Sequence, residues 1–349
     1  MVKLNQGLKL VLLIWRFDFM KPKVAIIFNG GTISMSIDPR IGAAIPSLSN
    51  DEIMSLVTNI DKFAVIESID FSQLPGPHIT PQKMMELQSL VLKTVEREDI
   101  TGVIITHGTD TLEETAYLLD LTLNTPKPVI VTGAMRNSSE LGYDGPSNLA
   151  ASVCTAISSE VKNKGVLIVM NNIVNAASEA TKTNTLSLDT FKSIEFGAIG
   201  IVDNDKVILH RNVMNRQYIP AESIEPAVDL IKCAAGMDSK FLKYSVDTGA
   251  KGIVIEALGR GNIPPAMIPG IKYALDNGIP VVMVSRCPTG RVLDTYGYEG
   301  AGKQLRQMGV ILGGDLPGQK LRIKLMLALS ISKNINEIRK IIEQYHYVD

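Results

Sequence analysis

Short runs of valine and isoleucine alternate with helix-like stretches along most of this chain, and that rhythm limits the folds open to it. Val24–Phe28, Gly102–Thr106, Val129–Thr132 and Val166–Met170 are near-continuous apolar runs, the pattern of strands buried on both faces. Between them, Pro81–Glu98, Thr111–Leu123 and Ser147–Ser158 read as helices, with Thr111 and Glu114 spaced as a capping box. Repeated strand–helix–strand units imply a parallel sheet covered on both faces, with right-handed crossovers. Gly200–Leu209 breaks the rhythm: Asp203-Asn204-Asp205 between two apolar runs reads as an antiparallel hairpin that closes a first domain. The polar stretch 211–227, with Pro220 and Pro226, suits a linker. The alternation then resumes, with Asp229–Ala234, Gly252–Ala257 and Pro280–Ser285 as strands and Pro265–Asn277 and Gln319–Ser330 as helices. The expected fold class is α/β with two domains. A larger N-terminal unit, residues 21–210, has a mostly parallel sheet flanked by helices; a smaller C-terminal parallel α/β unit covers residues 228–349.

A chain of 349 residues is long enough to bury two such cores. Its formal net charge of −1 supplies neither the basic footprint of a nucleic-acid binder nor a polybasic membrane patch. The expected partner is therefore a small molecule, with no nucleic acid and no membrane. Cys154, Cys233 and Cys287 are odd in number, widely spaced and without a CxxC, which argues against a disulfide framework or a zinc cage. All three read as buried thiols in a reducing, cytoplasmic setting. His78, His107, His210 and His346 show no ligand spacing, so no metal is expected. Residues 1–20 are expected to form a poorly ordered extension. Leu8–Phe19 is too short and too charged to span a bilayer and lacks a cleavage pattern, and Met20 is an alternative start.

In open parallel sheets, ligands bind beyond the carboxyl ends of the strands. Two strand ends and one later loop carry threonines in unusual settings. Asn29-Gly30-Gly31-Thr32-Ile33-Ser34 follows the first strand; its paired glycines can cradle a phosphate, turn the chain or present a reactive threonine. His107-Gly108-Thr109-Asp110-Thr111 lies between a buried strand and a helix start, where partial positive charge favours a developing anion. An N-capping cluster fits those residues equally well. The third segment is Ala180-Thr181-Lys182-Thr183-Asn184-Thr185. Its lysine is an ordinary solvated residue unless it folds back on Thr109, where loss of water would help it accept a proton.

Four segments together resemble the bacterial and archaeal L-asparaginases. They are Asn29–Ile33; Ile105–Tyr117; Thr132–Arg136 with Asp144–Pro146 and Asn148-Leu149; and Ala180–Asn184. They stand in the family's order, Ile105–Tyr117 is highly specific, and the likeness continues through Gly259–Asn262 and Pro288–Gly290. The resemblance implies hydrolysis of L-asparagine to L-aspartate and ammonia, with no cofactor. It implies Thr32 as nucleophile, faced across the substrate by Thr109, Asp110 and Lys182. Backbone N–H groups near Gly31 and Thr109 would stabilise the oxyanion, and Asp110 would hold the substrate's α-ammonium. Lys182 acting through Thr109 is one base chain. The resemblance also implies a homodimer at minimum, or a homotetramer, because family members reach a neighbour's site from the region of Gly259–Asn262.

The sequence departs from the family pattern at three places. Ser34–Ser47, the lid-like loop after Thr32, contains no tyrosine, although one is common there. The family's usual Ser-Gln or Ser-Pro pair for the substrate's α-carboxylate falls at Gly76-Pro77 in one alignment and at Ser72-Gln73 in another, which needs a short insertion. Arg260 replaces an asparagine and would either compensate by pairing with that carboxylate or sit in a subunit interface. Other substrates of the same chemistry (L-glutamine, D-asparagine, a peptide- or tRNA-linked amide) and a catalytically degenerate sensor are the alternatives.

Overall fold

The structure is a computed structural model describing residues 21–344; the expected extension over residues 1–20 and the start at Met20 lie outside the described residues. β1 (Lys23–Phe28) is followed by an antiparallel hairpin, β2 (Met35–Asp38) and β3 (Ala43–Pro46). Next come β4 (Val65–Asp70), β5 (Gly102–Thr106), β6 (Val129–Thr132), β7 (Val166–Met170), β8 (Ile173–Ala176), β9 (Thr181–Lys182), β10 (Phe191–Lys192), β11 (Gly200–Asp203) and β12 (Lys206–Leu209). The large sheet runs β12-β11-β8-β7-β6-β5-β1-β4. The five strands from β7 to β4 are parallel, and β8, β11 and β12 extend the sheet antiparallel. A separate, wholly parallel sheet holds β13 (Val228–Lys232), β14 (Gly252–Ala257), β15 (Val281–Ser285) and β16 (Ile311–Leu312), in that order.

Strand periodicity divides the core. Ala25, Ile27, Val103, Ile105, Val129 and Val131 face one way, against the helices Pro81–Val95 and Leu112–Thr122. Val24, Ile26, Phe28, Ile104 and Ile130 face the other way, against the helix Gly145–Ile157. The first core does not stop at those helices. It runs on through the helix Gly318–Ile331 to Val254, Val282 and Val284 of the small sheet. That helix is buried on nearly every side, and it carries Lys320 and Lys324 into the interior. It lies so close to β14 that a Cβ on Gly252 would be 2.9 Å from both Leu325 and Leu329. The stretch 211–227 has no helix or strand, yet it is strapped down: Arg216 Nε donates to Asp120, the Ile219 amide to the Leu121 carbonyl and Gln217 Nε2 to the Ile341 carbonyl.

Several expectations need correction. Residues 34–47 are not an open loop but chiefly the β2–β3 hairpin. Thr111 stands at the start of its helix without capping it; its hydroxyl donates to the Gly76 carbonyl at 2.8 Å. Glu114 is instead half-buried, and burial with the nearby charge of Glu113 raises its carboxyl to about 7. Cys154 and Cys233 are buried, but Cys287 is exposed.

Leu325 is fully buried between the two sheets. Leu325→Ala should cost about 2–5 kcal/mol, read as a lower urea midpoint. A midpoint shift worth well under about 1 kcal/mol would contradict the packing described for this helix.

Candidate active site

The loops leaving β4, β1, β5 and β6 meet at one edge of the large sheet. Phe28 pairs with both Asp70 and Thr106, and Thr106 with Thr132, so the four strands end level. Just beyond, the backbones of Gly31 and Gly108 touch. A Cβ on Gly31 would overlap Gly108 and lie 2.7 Å from the His107 carbonyl carbon. One on Gly108 would lie 2.5 Å from the Gly76 nitrogen. Gly31 also has φ +88°, a conformation other L-residues rarely adopt. These two glycines immediately precede Thr32 and Thr109, so both threonines leave from a single backbone contact.

Thr32 opens a short 3-10 turn, Thr32–Ser34, and is half-buried. The turn is fixed from several directions. Ser34 Oγ donates to the Gly31 carbonyl at 2.9 Å, and the Tyr143 hydroxyl donates to the Ile33 carbonyl at 2.5 Å. The Ser138 amide and hydroxyl both donate to the Met35 carbonyl at 3.0 Å. Among the described residues, none is hydrogen-bonded to the Thr32 hydroxyl.

Thr109 is buried at 6% exposure. Lys182 reaches it from 73 positions away: its Nζ donates to Thr109 Oγ1 at 3.0 Å and to Asp110 Oδ1 at 2.8 Å. Asp110 stays open to solvent, with 61% of its side chain exposed. Gly76 sits against Gly108 and Asp110, whereas the Ser72 hydroxyl donates to Asn29 Oδ1 at 2.6 Å. Of the two stretches considered for a carboxylate site, Gly76-Pro77 therefore adjoins the Thr109–Asp110 loop. Arg260 is exposed, beside a hollow lined by Gly259, Ser285, Cys287 and Thr289.

Two motifs have a local explanation. The Asp144 carboxylate accepts the amides of Met135 and Arg136, at 3.0 and 2.9 Å, and Asn148 Nδ2 donates to the Gly133 carbonyl at 2.9 Å. Together they shape the loop after β6. His107 is fully buried, with Nδ1 2.8 Å from the Gly108 carbonyl oxygen and Nε2 2.8 Å from the Thr115 hydroxyl. A neutral ring that donates from Nδ1 and accepts at Nε2 satisfies both contacts. Burial lowers its pKa to about 4, so it is uncharged at neutral pH and braces Gly108.

The model of the asparaginase N-terminal domain matches residues 23–215, and that of the glutaminase/asparaginase C-terminal domain matches residues 227–342. The chain belongs to the asparaginase family. Among its relatives, an L-asparaginase of Bacillus licheniformis is 37% identical over 314 residues, 90% of this chain and 97% of the relative. L-asparaginase 2 of Escherichia coli is 31% identical, with 93% of each chain covered. A crystal structure described as a probable cytoplasmic L-asparaginase from Campylobacter jejuni superposes with a TM-score of 0.85 at 32% identity. That match covers 93% of this chain and all of the other.

Within this asparaginase-family site, sequence reasoning had no place for Glu113. It is 5% exposed; one carboxylate oxygen accepts from the Thr181 hydroxyl at 3.0 Å and the Lys182 amide at 3.2 Å. The sequence signal was the acidic pair Glu113-Glu114 at the start of an otherwise largely apolar helix. Tyr143 was missed as well, because it belongs to none of the matching segments.

His107 gives a pH test. Its folded value of about 4 lies below the ordinary 6.5, so the unfolded chain binds more protons between those values. The stability it contributes is complete above about 6.5 and is lost as pH falls through 4. Glu114, raised from 4.5 to about 7, acts with the opposite sign, so the wild type alone would be ambiguous. The stability gap between wild type and His107→Asn removes that term. It should shrink by about 3 kcal/mol between pH 7.5 and pH 4 in urea titrations. A gap independent of pH would mean that the folded ring titrates as it does in the unfolded chain, as an exposed ring would.

Proposed function

We propose that the chain hydrolyses L-asparagine to L-aspartate and ammonia through a threonine ester. The observation that carries this reading is the ammonium of Lys182 on Thr109 Oγ1 and Asp110 Oδ1, beside the Gly31–Gly108 contact that brings Thr32 to the same rim. Family membership supports the same reaction, since the relatives named above are L-asparaginases.

The Thr32 hydroxyl, not engaged by the described residues, attacks the side-chain amide carbon. An unassisted threonine is a poor nucleophile, so its proton must pass to a base as the bond forms. Lys182 must first give up a proton to become the neutral amine; the Thr109 hydroxyl, which Lys182 already contacts, then passes its own proton to that amine and takes the one released by Thr32. Attack turns the amide carbonyl into an oxyanion, held by backbone N–H groups near Gly31 and Thr109; one such donor is worth about 3 kcal/mol. Ammonia leaves with the returned proton, and an acyl ester remains on Thr32. Water then adds to that ester, releasing L-aspartate and restoring the hydroxyl.

Asp110, exposed and ionic, takes the substrate's α-ammonium. The Gly76-Pro77 turn, against Asp110, takes the α-carboxylate. Arg260 completes a neighbouring subunit's site in a homodimer or homotetramer rather than its own. The enzyme works in the cytoplasm, as its unpaired cysteines favour and as the Campylobacter jejuni relative is described.

Thr32→Ala and Thr109→Ala should each reduce ammonia release from L-asparagine by about 1000-fold or more, with an unchanged circular dichroism spectrum and melting point. Substantial turnover in either folded variant would remove that residue from its role. Running the same assay on L-glutamine and D-asparagine settles the substrate: faster release from either would displace L-asparagine.

A further inference from the structure

Lys320 is a fully buried lysine in the middle of a protein whose proposed chemistry makes no use of it. It stands on the helix Gly318–Ile331, which packs on the small sheet, yet its ammonium points into the large unit. There it donates to three carbonyls of one short turn: Ala177 at 2.8 Å, Ser178 at 3.3 Å, and Ala180. An ammonium has three protons, and all three are used. The Tyr117 ring lies 5.7 Å away. The carboxylates of Glu113, Asp120 and Glu179 surround the charge and partly offset its burial, which lowers the group to about 8 and leaves it mostly charged at neutral pH.

The turn it grips leads directly into Thr181 and Lys182. The next residues are held by Glu113, whose first oxygen accepts the Thr181 hydroxyl and the Lys182 amide. The second oxygen of Glu113 accepts from Gln319 Nε2 at 3.3 Å, and Gln319 is the neighbour of Lys320 on the same helix. Two consecutive residues from the second unit thus hold both the turn before Lys182 and the carboxylate that fixes the Lys182 backbone. Among the described residues, the β9–β10 pairing with Phe191 is the remaining backbone restraint on Lys182.

We infer that Lys320, with Gln319, is a positioning residue for Lys182, so that a helix of the C-terminal unit sets the geometry of the Thr109–Lys182 pair. This rests on the role proposed above for Lys182. Its consequence is that the small sheet and its helices contribute to turnover without touching the reacting atoms in this chain.

The test uses the full chain and the Lys320→Met variant, which keeps length and removes the charge. Ammonia release from L-asparagine should show kcat lower by about 10–100-fold with KM changed less than about threefold, the pattern of a displaced catalytic group rather than a lost substrate contact. Hydrogen exchange on the same preparations should speed up at least about tenfold in residues 177–183 while β5 stays protected. Wild-type kcat in folded Lys320→Met, or unchanged exchange in 177–183, would overturn the inference. If Lys320→Met does not fold, Gln319→Ala carries the test: a kcat several-fold lower supports the inference, and wild-type kcat overturns it. A wild-type chain that releases no ammonia defeats the asparaginase reading instead, and the exchange measurement then still decides whether Lys320 holds Lys182 in place.

Discussion

Backbone-to-backbone contact between Gly31 and Gly108 is the constraint on which the rest of the site depends. Two parallel strands, β1 and β5, end level, and their loops must turn away within a few residues. Neighbouring strands stand about 4.8 Å apart, which leaves no room for two side chains between loops that continue in the same plane. Glycine on both sides lets the loops stay in contact past the end of the sheet. The next residue on each side is a threonine. Gly76 closes against Gly108 from the far side of β1, and Gly133 closes against His107 from β6. The site is therefore a place where backbone has replaced side chain, and the few side chains that remain include those to which the proposed reaction assigns its chemistry.

Such a site needs support, because loops packed through glycine have little apolar surface of their own. That support is polar and comes from behind. His107 braces Gly108, Asp144 and Asn148 shape the loop after β6, and Tyr143 and Ser138 hold the residues that follow Thr32. Each of these groups is largely shielded from water and each is satisfied by a backbone partner, so losing one would strand a buried donor or acceptor at about 1–3 kcal/mol. Hydrogen bonds of this kind also have direction, which apolar packing lacks. They set where a loop goes rather than merely how firmly it is held.

Most of the large sheet was legible in the sequence because its central strands are buried on both faces and leave an unbroken apolar signature. β5, β6, β7 and β14 begin and end where the apolar runs do. β8, β9 and β16 were not foreseen: they are short, and Asn175, Thr181 and Lys182 give them no hydrophobic period. The β2–β3 hairpin was hidden for a related reason, since it is largely exposed and its residues carry no buried face. At the site, the convergence of Thr109, Asp110 and Lys182 was readable only through family resemblance; spacing alone left a capping cluster and a solvated lysine equally good. What no local pattern encodes is the part played by Glu113, Tyr143 and Lys320. Each has a backbone partner, 69, 110 and 143 positions away, and a backbone group has no sequence signature.

The absence of a tyrosine from the segment after Thr32 has a physical counterpart in this arrangement. Tyr143 approaches the same turn from the loop after β6, but its hydroxyl donates to the Ile33 carbonyl, and burial with the charge of Asp144 raises its pKa further. A phenol so committed is a poor proton acceptor, and its effect is on the shape of the turn. Proton transfer in the proposed reaction then falls to the pair on the other side of the substrate. There, a single ammonium donates to both Thr109 and Asp110. The Thr109 oxygen accepts from Lys182, which leaves its own proton free to point toward whatever lies between it and Thr32. When Lys182 gives up a proton, the same hydroxyl can turn and donate to it. One threonine can thus relay a proton in either direction without moving its backbone, provided Lys182 stays at hydrogen-bonding distance. On the inference drawn above, the turn gripped by Lys320 helps to keep it there, together with Glu113 and the β9–β10 pairing.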